Sequence, residues 1–234
     1  MNLKFIFFIT FPPLFFLSFF CAKEIKSSSL EKKIADASTT DTAVLTLCGL
    51  DIGIDRSTNY MKAVCNGFAV SAGHYQKQVN YPAMLDPSAG DNPKGSIYIG
   101  ATKLDQLIRT TPGPKIVFGY SQGAQVAGTW LRRFAHLPDA PPSNELSFVL
   151  IGNPERRYGK QPWTLKQTPD STQYKIRDVS RKNDNWSDWH GSPSDNRILA
   201  MFGTVHTNYW KSEIYGESAQ VIKVVGNTSY VIVP

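Results

Sequence analysis

The sequence predicts an α/β fold with a central, mainly parallel sheet and helices on both faces. Two observations carry that expectation. Short apolar runs rich in β-favouring residues recur along the chain, AVLTLCGL at 43–50, IVF at 116–118 and LSFVLIG at 146–152. Runs without a polar alternation suit strands buried on both sides of a parallel sheet. Between them lie longer stretches with apolar residues at helical spacing, and strands alternating with helices make a sheet of that kind.

Composition sets the frame. A chain of 234 residues, 41% hydrophobic, can bury a full core as one domain. The formal net charge of +6 is modest and scattered. Arg132-Arg133 and Arg156-Arg157 are pairs, not runs, and read as solvated surface, which argues against a nucleic-acid partner.

Residues 1–21 carry Lys4 and then an apolar stretch, Phe5 to Cys21, interrupted by Pro12-Pro13. That is a secretory signal pattern, shorter than the roughly 20 uninterrupted apolar residues of a membrane span. Large Phe19 and Phe20 stand where a cleavage site expects small residues. Cys21 therefore has two readings: it leaves with the signal, or it is the acylated first residue of a loose lipoprotein-type signal and attaches the chain to a membrane. Either way the protein is expected to be secreted or held in the cell envelope. The Lys-, Ser- and Thr-rich residues 22–42 read as a flexible tether, and residues 43–234 as the folded domain. Cys48 and Cys65 are then an even pair in an oxidising compartment, for which a disulfide is expected; two buried thiols are the alternative.

Taken in order, Ala43 to Leu50 is the first core strand. Ser57 or Thr58 caps a helix with Tyr60, Val64 and Phe68 at helical spacing, and this helix carries Cys65. Tyr75 to Tyr81 alternates weakly and stops at Pro82, a second strand. Ser96 to Thr110 gathers Ile97, Ile99, Ala101, Leu104, Leu107 and Ile108 largely on one side of a helix, closed by Thr111-Pro112-Gly113-Pro114. The central strand over Ile116 to Phe118 leads through a tight turn into a helix from Gln122 to about Leu137, ended by Pro138, Pro141 and Pro142. Leu146 to Gly152 and Tyr174 to Val179 are the next strands. The loop Asn153 to Asp170 between them leaves the carboxyl edge of the sheet and is a candidate pocket wall. Asn196 to Val205 has the spacing of a short helix, and Val221 to Val233, turning at Gly226-Asn227, reads as a hairpin.

The chemistry gathers at Gly119-Tyr120-Ser121-Gln122-Gly123. A strand, a G-x-S-x-G turn and a helix form an elbow that exposes the serine oxygen at the carboxyl edge of the sheet. Small residues must flank so sharp a turn, and Gly119 and Gly123 do. The Gln122 N–H, at the helix start, can then face a developing oxyanion.

A serine hydroxyl needs an imidazole to take its proton, and the imidazole needs a carboxylate to fix its tautomer. In an α/β-hydrolase the chain order is Ser, Asp or Glu, His, which removes His74. His136 sits at the end of the elbow helix, and His190 follows the acidic candidates too closely to reach back. His206 is the expected base. The carboxylate belongs just after the strand ending at Val179, where Asp184 is the first choice and Asp188 the second; Asp178 is still within the strand. A second oxyanion donor belongs just after the first strand, at Leu50 or next at Asp51.

The segments around Gly119-Tyr120-Ser121-Gln122-Gly123, Ile151-Gly152-Asn153-Pro154, Asp178 through Asp188, and His206 shortly before Tyr209 resemble the PE-PPE-type serine hydrolase domain in order and spacing, over roughly Ala43 to Pro234. That family is similar to cutinases and to phage lysin B. The resemblance implies a small α/β-hydrolase acting on acyl or lipid esters, with Ser121 as nucleophile, Asp184 as acid and His206 as base. Where the family has Gly-Thr-Gly after the first strand, this chain has Cys48-Gly49-Leu50-Asp51. No metal or organic cofactor is expected, because no Cys/His cluster has ligand spacing and no Gly-rich phosphate loop is present. Two rivals stand beside the esterase: an acyltransferase using the same site, and a non-catalytic surface binding protein on a hydrolase scaffold.

Overall fold

In the computed structural model, residues 41–51, 61, 73–159, 166–189, 205–207, 209 and 214–234 are described. They contain β1 (Thr42–Leu47), β2 (His74–Gln78), α1 (Ser96–Thr110), β3 (Lys115–Tyr120), α2 (Gln122–Arg133), β4 (Leu146–Ile151), β5 (Lys175–Arg181), β6 (Gln220–Val225) and β7 (Thr228–Val233). The predicted helix around Tyr60 to Phe68, with Cys65, and most of the predicted helix at 196–205 lie outside the described residues, as do His190 and Cys21.

The strands form one sheet in the order β2-β1-β3-β4-β5-β7-β6. Every pairing is parallel except that of β6 with β7. The central strands are sandwiched, and their side chains alternate between two apolar clusters. Ala43, Leu45, Leu47, Val117, Phe148 and Leu150 face α1 and α2 on one side. Val44, Phe118, Val149, Ile151, Val179 and Val231 face Met61, Tyr209 and Ile214 on the other. Both faces of the sheet are therefore covered, which is why the core strands lack polar alternation.

Helix α1 matches its expected span because Pro112 and Pro114 follow its last turn and its apolar stripe is complete. It meets α2 closely: a Cβ on Gly100 would lie within 3.1 Å of both Val126 methyls. Trp130 of α2 packs on Phe148 and Tyr174 and donates its indole N–H to Asp105 of α1 at 3.0 Å. The second helix stops at Arg133, short of Leu137, with Phe134 N–H closing on Trp130 O at 2.8 Å. Phe134 and Ala135 leave the helical path to lie against the core, before the prolines are reached.

The loop after β4 folds inward in its described parts. Arg156 is buried, 1% exposed, and its guanidinium donates to Asp178 Oδ1 at 2.6 Å and to the Val231 carbonyl at 3.0 Å. The expectation of a solvated Arg156-Arg157 pair is corrected for Arg156: the strand aspartate Asp178 supplies a buried partner. Asn153 holds the other Asp178 oxygen at 2.8 Å. This clasp joins β4, β5 and β7 beneath the carboxyl edge.

The elbow depends on close backbone approach. A Cβ on Gly123 would run into the Leu47 carbonyl oxygen and come within 2.7 Å of that of Cys48. A Cβ on Gly119 would lie 2.8 Å from the Gly123 carbonyl oxygen. Backbone atoms cannot swing aside as side chains do. Gly123→Ala is expected to destabilise the domain by roughly 3 kcal/mol, at the upper end of overpacking costs, lowering Tm by about 10 °C; calorimetry checks this, and an unchanged Tm would show that α2 can shift away from β1.

Candidate active site

Ser121 stands between β3 and α2 with φ 54° and ψ −118°. A non-glycine residue in this region carries roughly 1–3 kcal/mol of backbone strain. The ladder over-determines it: Ser121 N–H donates to Ile151 O at 3.0 Å, and Ala124 N–H closes on Ser121 O at 2.9 Å. The strained turn lifts the side chain out of the sheet, partly exposed, at the carboxyl edge.

His206 reaches it from far along the chain. Its Nε2 lies 2.9 Å from Ser121 Oγ, and its Nδ1 lies 3.0 Å from each oxygen of Asp184. Three features hold the imidazole. Tyr120 stacks under it at 5.4 Å and donates its hydroxyl to the His206 carbonyl at 3.0 Å. Trp186 lies at 5.8 Å and Tyr209 meets the ring edge-on at 6.3 Å. At Gly152, φ 55°, a Cβ would stand 3.0 Å from the imidazole Cε1, so the backbone after β4 must stay bare to let the ring in.

Asp184 follows β5 after a short turn in which Asn183 takes φ 64°, a conformation asparagine tolerates. Its side chain is fully buried. Oδ1 accepts the Trp186 N–H at 2.9 Å, while Oδ2 accepts the hydroxyls of Ser187 at 2.9 Å and Tyr209 at 2.6 Å. Burial alone would raise this carboxyl. The facing His206 and the hydrogen bonds from His206, Tyr209 and Trp186 outweigh it and hold the group below its ordinary value. An ionised carboxylate only accepts, so Nδ1 carries a proton and donates it; in the neutral ring that leaves the Nε2 lone pair facing Ser121 Oγ. That is the state in which a serine proton can be taken.

The structure thus brings Ser121, Asp184 and His206 together. It separates the alternatives. Asp188 turns back to accept the Asn183 N–H at 3.1 Å, Asp178 is held by Arg156, and His136 is exposed beyond the end of α2. The Gln122 N–H heads α2 directly after the serine, among the amides a helix leaves without an internal acceptor. Gln122 also donates its side-chain amide to Met84 O at 2.8 Å, tying the loop after β2 to the elbow. The turn after β1 lies against the serine: a Cβ on Gly49 would be 3.1 Å from Ser121 Cβ. Leu50 follows it, partly exposed, whereas the Asp51 N–H is occupied by Ala83 O at 2.8 Å. The Asp51 N–H is thus engaged elsewhere and Asp51 loses its place as the alternative second oxyanion donor. Cys48 is buried beneath this turn, and Cys65, its expected disulfide partner, lies outside the described residues.

Sequence reasoning missed Ser187 and the hydroxyl of Tyr209 as partners of Asp184, and Tyr120 as the shelf under His206. The only signal was spacing: Ser187 and Tyr209 each lie three residues past a triad member.

Comparison with known proteins shows the family of the chain. The PE-PPE domain family matches residues 72–234, well over half of the chain. This chain belongs to the PE-PPE domain family. Similar curated proteins are the SL1278 acyltransferase Chp1 of Mycobacterium tuberculosis, 32% identical over 153 residues and covering 60% of this chain, and the esterase PE16 of the same organism, 30% identical over 142 residues and covering 51%. The matches take up 36% and 27% of those relatives, so this chain spans about a third of their length or less. Among solved structures, a cutinase-like protein from Cryptococcus sp. is similar with a TM-score of 0.45 and 17% identity, over 74% of this chain and 97% of that one. Lysin B from Mycobacteriophage D29 is similar with a TM-score of 0.43 and 17% identity, over 71% and 75%. In this PE-PPE domain, the matched stretch contains Ser121, Asp184 and His206.

Proposed function

We propose that this PE-PPE domain is a serine hydrolase of carboxylic esters. The observation that carries the reading is the unbroken hydrogen-bond chain from Ser121 Oγ through His206 to buried Asp184. Ser121 Oγ attacks the ester carbonyl as His206 Nε2 takes its proton, and the oxyanion is met by the N–H of Gln122 with that of Leu50. The imidazolium then returns the proton to the leaving alkoxide, which departs as the alcohol, and the acyl group stays on Ser121. Water, deprotonated by the same imidazole, releases the acid and restores the serine. Exposed Met84, whose carbonyl the Gln122 side chain grips, and Leu85 next to it, 67% and 80% accessible, support an apolar acyl group as the preferred substrate part.

Acyl transfer is a second reading, favoured by the naming of one relative as an acyltransferase. There an alcohol takes the place of water. Either reading goes with an exported domain: the secretory pattern of residues 1–21 supports export, free or anchored through Cys21, with a Cys48–Cys65 bridge as the accompanying proposal, and N-terminal sequencing and mass spectrometry of recovered protein check all three.

The test is a fluorophosphonate probe on the folded protein, followed by p-nitrophenyl esters of increasing acyl length with and without an alcohol acceptor. Labelling at Ser121 and release of free acid without acceptor are expected. Labelling with turnover only when acceptor is present moves the assignment to acyl transfer. No labelling of Ser121 leaves the non-catalytic binding protein.

A further inference from the structure

The buried side of the site holds a group that the catalytic reading does not use. Tyr209 is fully buried, and its hydroxyl lies 2.6 Å from Asp184 Oδ2. The direction of that bond is fixed by the other partner of the phenol. Arg181 N–H, at the end of β5, points at the same oxygen from 2.8 Å. An amide N–H only donates, so the phenol accepts from Arg181 and spends its own proton on the carboxylate. Burial first, and then the charge of Asp184, push the phenol well above its ordinary range, so the proton stays on Tyr209. Ser187 donates a second hydrogen bond to Oδ2, and its hydroxyl lies 2.6 Å from that of Ser180.

We infer that Tyr209 is a positioning residue for the triad: anchored by the Arg181 amide, its hydroxyl fixes the plane of the Asp184 carboxylate and shares its charge, setting the strength of the bond from Asp184 to His206. The geometry gives the reason. Donors on both oxygens, Trp186 on one and Tyr209 with Ser187 on the other, hold the carboxylate square to the ring, with Nδ1 equidistant from the two at 3.0 Å. Without the phenol, Oδ2 has one donor fewer. The carboxylate is then free to turn about its Cβ–Cγ bond, and the negative charge that Tyr209 shared falls back on the bond to Nδ1. The Tyr209 ring meets the His206 imidazole edge-on, and phenylalanine keeps that ring, so the effect of the tyrosine hydroxyl passes through Asp184.

The inference rests on the reading of Ser121, His206 and Asp184 as catalytic, and the experiment separates the two. Tyr209→Phe and wild type are compared in kcat, KM and the proton NMR resonance of His206 Nδ1–H. In Tyr209→Phe, kcat falls about tenfold, the effect of one hydrogen bond to a charged group, KM is unchanged, and the resonance moves downfield as the carboxylate loses a competing donor. Because phenylalanine strands the Arg181 N–H, a second variant carries 3-fluorotyrosine at position 209, which keeps the shape and donates more strongly; its resonance moves upfield. Opposite shifts establish the role. If both proteins fold and the resonance stays at its wild-type position in each, Tyr209 is packing only and the inference is overturned. Absence of ester turnover and serine labelling in wild type removes the catalytic reading instead, while the resonance still reports on Tyr209.

Discussion

Ester turnover is expected to fall by a factor on the order of 10⁵ or more in Ser121→Ala, with little change in stability. The oxygen removed is the one that faces His206 Nε2 at 2.9 Å, and the attack has no other atom to start from. What remains is an imidazole with nothing to deprotonate but water, and an oxyanion site that still binds, so residual catalysis well above the uncatalysed rate persists. Alanine keeps the Cβ that Gly49 packs against and inherits the same strained φ of 54°, so the fold has no new cost to bear. Initial rates and a thermal melt measured together check both halves. More than about one per cent of wild-type kcat in a correctly folded variant would place the nucleophile elsewhere.

The second large effect is at Asp184. Asparagine there is expected to lower kcat on the order of 10⁴-fold while KM changes little, the consequence of a wrong imidazole tautomer. The native carboxylate accepts from His206, Tyr209, Ser187 and the Trp186 amide. The two hydroxyls can rotate to meet an amide NH₂, and the Trp186 N–H can keep the remaining oxygen. The imidazole can meet the NH₂ only by turning an unprotonated Nδ1 toward it, which leaves the proton on Nε2 and closes the path from Ser121. Stability responds too. A carboxyl held below its ordinary value contributes above the unfolded value of about 3.9 and loses that contribution as pH falls through its lower folded value. Asp184→Asn therefore removes one step from the acid unfolding profile. Comparing kcat and acid denaturation in wild type and variant tests both; kcat within tenfold of wild type, with the histidine in place, would falsify the assignment of Asp184.

Much of this was legible from residue patterns, for reasons that differ by element. Ser96 to Thr110 was readable to the residue because its apolar stripe and its proline breaker agree. The elbow was readable because it is local: Gly119, Ser121 and Gly123 meet within one turn, and their spacing records the approach to Leu47 O. The end of β5 was misplaced at Val179 because Ser180 and Arg181, polar by type, continue the strand. Ser180 is nevertheless fully buried, its hydroxyl matched to that of Ser187. The same blindness hid Arg156: nothing in Arg156-Arg157 distinguishes the residue that finds Asp178 from its neighbour, because the partner lies 22 residues away. Polar partnerships across a fold leave no periodic trace, whereas apolar faces do.

The sheet order has a consequence for how the domain comes together. Strand β7 does not lie beside its sequence neighbour alone; it enters between β6 and β5, and its pairing with β5 spans Ile176 to Thr228 through Arg181 to Val233. Lys182 N–H closes on Val233 O at 2.8 Å, so the turn that carries Asp184 is seated on that late-arriving strand. Hairpin β6-β7 can form early, but its docking closes a loop of tens of residues, a slow, non-local step. The elbow can be complete while the acid and base are still unplaced. Acquisition of the reactive centre is thus tied to the closing event of the sheet, and a chain arrested before it carries a shaped but unactivated serine.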